Sequence, residues 1–198
     1  MRLFVLGLGL IILTSCKSSI DYLNTDLKSE NGYYQAVIEI PAGTNSKIEY
    51  DKVSKVFKPA LRDGKERKIN FLAYPANYGF IPSTFSDLDK GGDGDALDVM
   101  ILSSMIPSGE VVEIIPIGMI KFLDNGEQDF KVIAIPAEEK LRTISATTFK
   151  DFVENYEPAK NIIESWFLNY DPNDETEIQG WADEKETEKE ILRLQSKF

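Results

Sequence analysis

The chain has 198 residues, 42% of them hydrophobic, so it can bury the core of one folded domain and is not a disordered segment. It contains no histidine, which excludes His-dependent nucleophile triads and most zinc or iron sites. Any catalysis must therefore use carboxylates, lysine, arginine, tyrosine or a hard metal bound by oxygen. The formal net charge of −11 argues against a nucleic-acid partner, because such a partner requires a basic surface.

The first residues have the pattern of a secretory signal. Arg2 precedes an apolar run from Leu3 to Leu13, which is shorter than the ~20 residues of a membrane-spanning helix. The sequence that ends in Cys16, Leu-Thr-Ser-Cys, resembles a bacterial lipobox, in which the cysteine is lipidated and becomes the new N-terminus. The alternative is an ordinary signal peptide with a chance cysteine near its end.

Three segments follow from this interpretation. We expect a lipoprotein signal peptide over residues 1–15, a lipid-anchored polar tether over 16–31 and the folded domain over 32–198. The protein would then be exported and held at a bacterial membrane by its lipid alone, facing the periplasm or the cell exterior. Cys16 is the only cysteine, so a disulfide within the chain is excluded.

The next two thirds of the chain are predicted to be mostly β-structure. Alternating or continuous apolar runs predict strands over Tyr34–Ile40, Lys47–Tyr50, Val53–Phe57, Ile69–Tyr74, Leu97–Leu102, Val111–Phe122 and Phe130–Ile135. Arg62–Lys68 is predicted to be a charged turn and Tyr74–Pro82 to be irregular, while Asp124-Asn125-Gly126 predicts a hairpin. Apolar residues at helical spacing predict two late helices, Pro158–Tyr170 and Trp181–Leu194. This order predicts an α+β domain, a small closed barrel with helices packed outside.

The segment Ser86–Asp98 has five carboxylates and three glycines, a composition that suits a hard cation. One interpretation is an EF-hand-like calcium loop that starts at Asp87, but the apolar run after Asp98 predicts a strand where an EF-hand needs a helix. Another is a solvated acidic loop. The third places Asp93, Asp95 and Asp98 at the mouth of the barrel, where metal would relieve their mutual repulsion. A second acidic pair on the later hairpin, Asp124 and Asp129, favours the third interpretation.

Six motifs in order resemble those of the soluble, magnesium-dependent inorganic pyrophosphatases of the OB-barrel family. The resemblance runs from about Val37 to Trp181. The motifs are Val37-Ile-Glu-Ile-Pro, Lys47-Ile-Glu49, Tyr74-Pro-Ala-Asn-Tyr78-Gly-Phe, Gly91-Gly-Asp-Gly-Asp-Ala-Leu-Asp98, Asp124 to Lys131, and Trp166-Phe-Leu-Asn-Tyr170. The resemblance implies a closed five-stranded OB-like β-barrel with additional strands and the two C-terminal helices outside. It also implies hydrolysis of pyrophosphate with several Mg²⁺ ions, for which Mn²⁺ could substitute, and a possible homo-oligomer.

The resemblance also implies a role for each matching residue. Asp93, Asp98 and Asp129 match ligands of the tightest metal, and Asp98 is shared with a second ion. Asp95 matches the general base, which takes a proton from the water held between those metals. Asp124 and Asp129 match the site of the metal that arrives with substrate, and Glu39 and Glu49 match outer carboxylates that act through water. The expected phosphate-binding residues are Lys47, Tyr78, Lys131, Tyr170 and an arginine, Arg67 or alternatively Arg62.

Two positions depart from the family pattern. Ala96 replaces the usual proline or glutamate of the acidic motif, and Asp171 replaces a lysine that binds phosphate. An anion beside a phosphate would weaken binding, unless Lys160 or Lys185 substitutes. Two alternative functions therefore remain from the sequence: a metal- and phosphate-binding lipoprotein of the same fold with weakened catalysis, and a calcium-binding module.

Overall fold

The structure, a computed structural model, describes residues 20–197; the expected signal peptide and Cys16 lie outside them. Within this range the chain forms eleven strands and two α-helices. The strands are Tyr34–Ile40 (β1), Ile48–Asp51 (β2), Val56–Pro59 (β3), Leu61–Arg62 (β4), Lys65–Glu66 (β5), Asn77–Phe80 (β6), Asp98–Ile101 (β7), Val111–Asp124 (β8), Glu127–Gln128 (β9), Lys131–Pro136 (β10) and Thr176–Ala182 (β11). The helices are Phe149–Phe167 (α1) and Glu184–Arg193 (α2). No helix in residues 20–197 is both long enough and apolar enough to cross a membrane.

Five strands pair in a closed ring. β1 pairs antiparallel with β6 and β8, β6 pairs antiparallel with β7, β7 runs parallel to β10, and β10 returns antiparallel to β8. The length of β8 makes this closure possible, because its start pairs with β1, its middle with β10 and its end with β11. The expected α+β fold with a small five-stranded barrel is confirmed, and β2–β3 and β4–β5 form two separate hairpins.

The ring is buried on both faces, as continuous apolar strands require. In β10, Ile133 and Ile135 pack in the cluster that includes α1 residues, whereas Val132 and Ala134 pack in the cluster that includes Ile191 of α2. Residues of the two helices therefore belong to the apolar clusters on opposite faces of this strand.

Helix α1 begins at Phe149, earlier than the predicted start at Pro158. Thr148 caps it by accepting a hydrogen bond from Asp151 N at 3.1 Å. Pro158 lies inside the helix, and the backbone is non-helical at Tyr156 (φ −135°, ψ 27°). A proline inside a helix removes a backbone hydrogen bond and kinks the chain. The prediction was wrong here because it treated the proline as a helix start rather than a kink.

Four further segments differ from the prediction. Ile69–Tyr74 is not a strand but a series of bends, and the stretch predicted to be irregular contains β6. Val53 lies in the turn between β2 and β3 with 93% of its surface exposed. The predicted helix Trp181–Leu194 starts only at Glu184, because Asp183 caps it and Trp181 belongs to β11.

The described part of the expected tether, residues 20–31, packs on the domain. Leu23 and Leu27 are buried, and Leu23 O accepts a hydrogen bond from Ser83 N at 2.8 Å. Tyr50 Oη donates to Ile20 O at 2.9 Å. Residues 20–31 thus pack on the domain, although the two leucines stand isolated in a polar stretch without periodicity.

Candidate active site

One cavity of about 820 Å³ collects the expected metal ligands, the expected general base and the expected phosphate-binding residues, with Arg67 as the arginine. Its wall includes Glu39, Lys47, Glu49, Arg67, Tyr78, Asp93, Asp95, Asp98, Asp124, Asp129, Lys131 and Tyr170. These residues come from β1, β2, β6, β7, β8 and β10, from the connecting loops, and from the turn that follows α1. The carboxylates of the glycine-rich loop and of the later hairpin therefore line a common space.

The glycine-rich loop folds back tightly on Ser86. Ser86 N donates to Asp95 O and Gly94 N donates to Ser86 O, both at 2.8 Å. Gly92 has no room for a side chain, since a Cβ would lie 2.2 Å from Ser86 Oγ and 2.7 Å from its carbonyl carbon. Asp93 Oδ1 accepts from Asp95 N at 3.0 Å, which fixes these two acids relative to one another.

Neither alternative interpretation of this loop agrees with the structure. The loop contains a single short 3-10 turn, Leu88–Lys90, and then enters β7 at Asp98. It lacks the two flanking helices of an EF-hand. The acids Asp93, Asp95 and Asp98 line the cavity, so the loop is not merely a solvated acidic surface.

The hairpin between β8 and β9 carries the second group of acids. Asn125 (φ 50°) and Gly126 (φ 88°) both have positive φ, as the Asn-Gly pair predicts for a two-residue turn. Gln128 N donates to Gly91 O at 2.9 Å, so the hairpin is bonded directly to the glycine-rich loop.

Lys131 joins the two acidic groups. It lies opposite Asp98 in the parallel pairing of β10 with β7, and its Nζ donates to Asp98 Oδ2 at 2.7 Å and also to Asp129 Oδ1. Tyr78 Oη donates to the same Asp98 oxygen at 2.5 Å. The Lys131 side chain is only 4% exposed. Strand register thus brings residues that are 33 positions apart into direct contact.

The cavity disfavours negative charge on its acids in the absence of a bound cation. Burial raises the pKa of Glu39 to about 8, and burial together with Asp98 and Asp129 raises the pKa of Asp93 to about 6. Burial also raises the pKa of Asp129 and Asp124. Burial alone would lower the pKa of Lys131, but Asp129 and Asp98 outweigh it and raise this pKa. Divalent cations would relieve the same repulsion.

The chemistry of these donors fits a hard divalent cation. All of the candidate ligands are carboxylates, which suit Mg²⁺ or Mn²⁺ and do not select zinc. Among residues 20–197 no three acidic, histidine or cysteine side chains stand close enough to hold an ion without adjustment. Two of the candidate ligands, Asp98 and Asp129, instead share the ammonium of Lys131, which donates to both.

Basic and phenolic groups face these acids across the cavity. Lys47 Nζ lies 3.1 Å from Glu49 Oε1, and Tyr170 stacks on Trp166 with ring centroids 4.7 Å apart. Arg67 lines the cavity, whereas Arg62 lies in a neighbouring groove. The structure therefore places Arg67, not Arg62, where a phosphate in the cavity could meet it.

Lys52 is a cavity residue that the sequence analysis missed. Its Nζ donates to Asp95 Oδ1 at 2.6 Å from the turn between β2 and β3. The signal available was its position just after the Lys47-Ile-Glu49 strand, but a lysine in a turn is ordinarily solvated. Neither Lys160 nor Lys185 lines the cavity, so neither substitutes for the missing lysine.

Asp171 does not face the cavity. Its side chain is 5% exposed and lies at the neighbouring groove, where it pairs with Arg62 and Arg67. The concern that this anion would oppose a bound phosphate, on which the weakened-catalysis alternative depended, therefore does not apply to this geometry.

Comparison with known proteins decides the family. The model of the family described as "Inorganic pyrophosphatase" matches residues 36–198. The chain belongs to the inorganic pyrophosphatase family. An inorganic pyrophosphatase of Saccharolobus solfataricus is 37% identical over 162 residues, which cover 79% of this chain and 86% of that protein. One from Neisseria meningitidis serogroup B is 31% identical over 163 residues, covering 82% and 86%.

Solved structures give the same answer for this pyrophosphatase-family chain. The inorganic pyrophosphatase of Thermus thermophilus superposes with a TM-score of 0.75 at 28% identity, covering 88% of this chain and 97% of that one. The Helicobacter pylori enzyme superposes with a TM-score of 0.71 at 27% identity, covering 86% and 95%. The resemblance stated from the sequence motifs is confirmed at the level of family and fold.

Proposed function

We propose that this chain hydrolyses inorganic pyrophosphate to two orthophosphates with the help of divalent metal ions, generally Mg²⁺. One observation carries the proposal: the loop acids, the hairpin acids and the basic residues expected to bind phosphate all line one cavity. Such an arrangement can neutralise a polyanion and position it, which is most of what phosphoryl transfer requires. Family membership gives independent support.

The metal site would use the carboxylates Asp93, Asp98 and Asp129, with Asp124 nearby and Glu39 and Glu49 further out. Bound divalent ions would supply charge neutralisation and a water of lowered pKa. Lys131 and Tyr78 hold the Asp98 carboxylate by donating to its Oδ2.

Asp95 is the proposed general base. Its side chain is 64% exposed, so a proton taken up by its carboxylate can pass to solvent. Lys52 donates to Oδ1 and keeps a positive charge beside this carboxylate. Lys47, Arg67, Lys131 and Tyr170 are the proposed phosphate-binding groups, and Tyr78 is the fifth.

The decisive test is phosphate release by residues 17–198 incubated with Mg²⁺ and pyrophosphate at roughly pH 6–9. Asp95→Asn should lower turnover by about 10²- to 10⁴-fold, the usual contribution of a general base, while Mg²⁺ affinity stays close to wild type. Asp89→Asn is the matched control, because Asp89 carries the same group on the same loop outside the cavity wall. Absence of phosphate release from the wild type would refute the activity, and an active Asp95→Asn would refute the base.

The proposed location rests on the sequence of residues 1–16 alone. We propose lipid attachment at Cys16 and exposure to the periplasm or the cell exterior. Cys16→Ser should convert a membrane-associated protein into an unprocessed or soluble one, measured by fractionation. Unchanged fractionation would contradict lipidation at this residue.

A further inference from the structure

Asp171 holds two arginines although it stands where the family resemblance leads one to expect a cation. Arg62 Nη1 donates to Asp171 Oδ1 at 3.1 Å and lies 2.9 Å from Oδ2, and Arg67 Nη2 donates to Oδ2. Asn173 adds its backbone N at 3.1 Å and its Nδ2 at 3.0 Å to Oδ1. Burial alone would raise the pKa of Asp171, but Arg62 and Arg67 outweigh it and hold that pKa well below its usual range.

Asp174 completes the cluster. Its carboxylate lies 3.3 Å from Arg67 Nη2 and 3.7 Å from Arg62 Nη2. Two arginines and two aspartates therefore balance in charge. The Arg67, Asp171 and Asp174 side chains are at most 15% exposed, so the pairs that Arg67 makes are shielded from water and are stronger than an ordinary surface pair, whereas Arg62 is 38% exposed.

The cluster connects two parts of the cavity wall. Arg67 directly follows the β4–β5 hairpin, and Asp171 directly follows Tyr170 in the turn after α1. Arg67 lines the cavity, and its Nη2 is held by Asp171 and Asp174. A guanidinium fixed in this way at the wall is suited to donate hydrogen bonds to an anionic ligand in the cavity.

We propose that Asp171 is a positioning residue that holds Arg67 at the cavity wall for a phosphate group of the substrate. The proposal rests on the proposed function for the identity of that substrate. In this chain, a buried carboxylate that orients an arginine takes the place of a lysine that would contact phosphate itself. The direct consequence is that restoring lysine at position 171 harms binding, because its ammonium would face Arg62 and Arg67.

Calorimetric binding of the non-hydrolysable analogue imidodiphosphate, with Mg²⁺ present, tests this without requiring turnover. Asp171→Asn should weaken binding about tenfold, the size expected for loss of one charge-assisted hydrogen bond. Asp171→Lys should weaken it further. Asp63→Asn is the matched control, because it removes the same charge from an exposed position in the same neighbourhood. Asp63 has a positive φ, which asparagine tolerates. This variant should bind the analogue as the wild type does.

A double-mutant cycle with Arg67→Gln separates positioning from general structural support. If Asp171 acts through Arg67, adding Asp171→Asn to Arg67→Gln should cost little further affinity. Asp171→Glu, which keeps the carboxylate, should recover most of the loss, whereas a packing role would make the longer glutamate worse than asparagine. Additive losses, or wild-type affinity in Asp171→Lys, would overturn the proposal.

Measurements of turnover distinguish a failure of the proposed role of Asp171 from a failure of the proposed hydrolytic activity. In an active enzyme Asp171→Asn should raise KM about tenfold and leave kcat within about twofold, since Arg67 would contribute to binding in both the ground and transition states. A wild type that binds the analogue in this pattern but releases no phosphate would refute the proposed activity and leave the role of Asp171 standing. A wild type that does not bind the analogue would refute both.

Discussion

Without bound metal, removal of the Lys131 ammonium should lower the free energy of unfolding more than any other change at the site. The Lys131 side chain is 4% exposed, and its partners Asp98 and Asp129 are 23% and 14% exposed. Lys131→Gln would leave both carboxylates without their cation. Breaking a buried pair costs about 3–5 kcal/mol, and the residual solvent access of the two acids favours the lower end, about 3 kcal/mol. In a domain of this size that loss corresponds to a fall in Tm of roughly 6–12 °C.

Urea unfolding with and without Mg²⁺ measures this effect. Mg²⁺ that binds the folded state stabilises it by mass action and would also neutralise the two carboxylates, so it should restore more stability to Lys131→Gln than it adds to wild type. Lys121→Gln is the control, because Lys121 pairs with Glu186 at the surface and should lose at most about 1 kcal/mol. The reasoning fails if Lys131→Gln matches this control without metal, or if Mg²⁺ stabilises both proteins equally.

Three further predictions concern the cavity and its surroundings. Burial raises the pKa of Glu39 from 4.5 to about 8, so without metal the folded chain keeps a proton that the unfolded chain releases. The free energy of unfolding should therefore fall as pH rises from 4.5 to 8. The fall should be smaller in Glu39→Gln. A chain that starts at residue 32 should unfold with about 3 kcal/mol less free energy than one that starts at residue 20, because it loses two buried leucines. Gly92→Ala should weaken Mg²⁺ binding about tenfold by calorimetry, because its methyl group would displace the backbone of Ser86.

Each of these has a clear contrary result. For the pH dependence, the control is Glu110→Gln at an exposed position, and equal slopes in both variants would show that another group is responsible. An unchanged midpoint of thermal unfolding in the shorter chain would mean that the N-terminal segment contributes nothing to stability. For the glycine, Mg²⁺ affinity equal to that of Asp89→Asn would show that the loop tolerates the added methyl group.

Several strands were predictable because their signals are local, and the residues of the cavity were predictable because their motifs resemble those of a known family. Alternation gave β1 from Tyr34 to Ile40, and the Asn-Gly pair gave the hairpin turn with its two positive φ angles. The six ordered motifs gave the residues that line the cavity, although the sequence alone does not supply the strand register that places Lys131 opposite Asp98.

The features that were missed depend on contacts between distant segments. Pro158 carries no local sign that tells a kink from a helix start. The packing of Leu23 and Leu27 needs the folded surface of the domain, and Lys52 finds Asp95 only when the β2–β3 turn and the glycine-rich loop come together. Asp171 was interpreted from its charge alone, whereas its direction is set by two arginines about 100 residues earlier.

The account depends on carboxylates of the glycine-rich loop and of the hairpin holding the same metal ions. The most direct measurement is the Mg²⁺ affinity of the tightest site, by calorimetry, in wild type, Asp93→Asn, Asp129→Asn and the double variant. We predict that either single substitution removes most of the affinity of that site and that the second adds little. Two separate sites, each lost only with its own aspartate, would contradict the account.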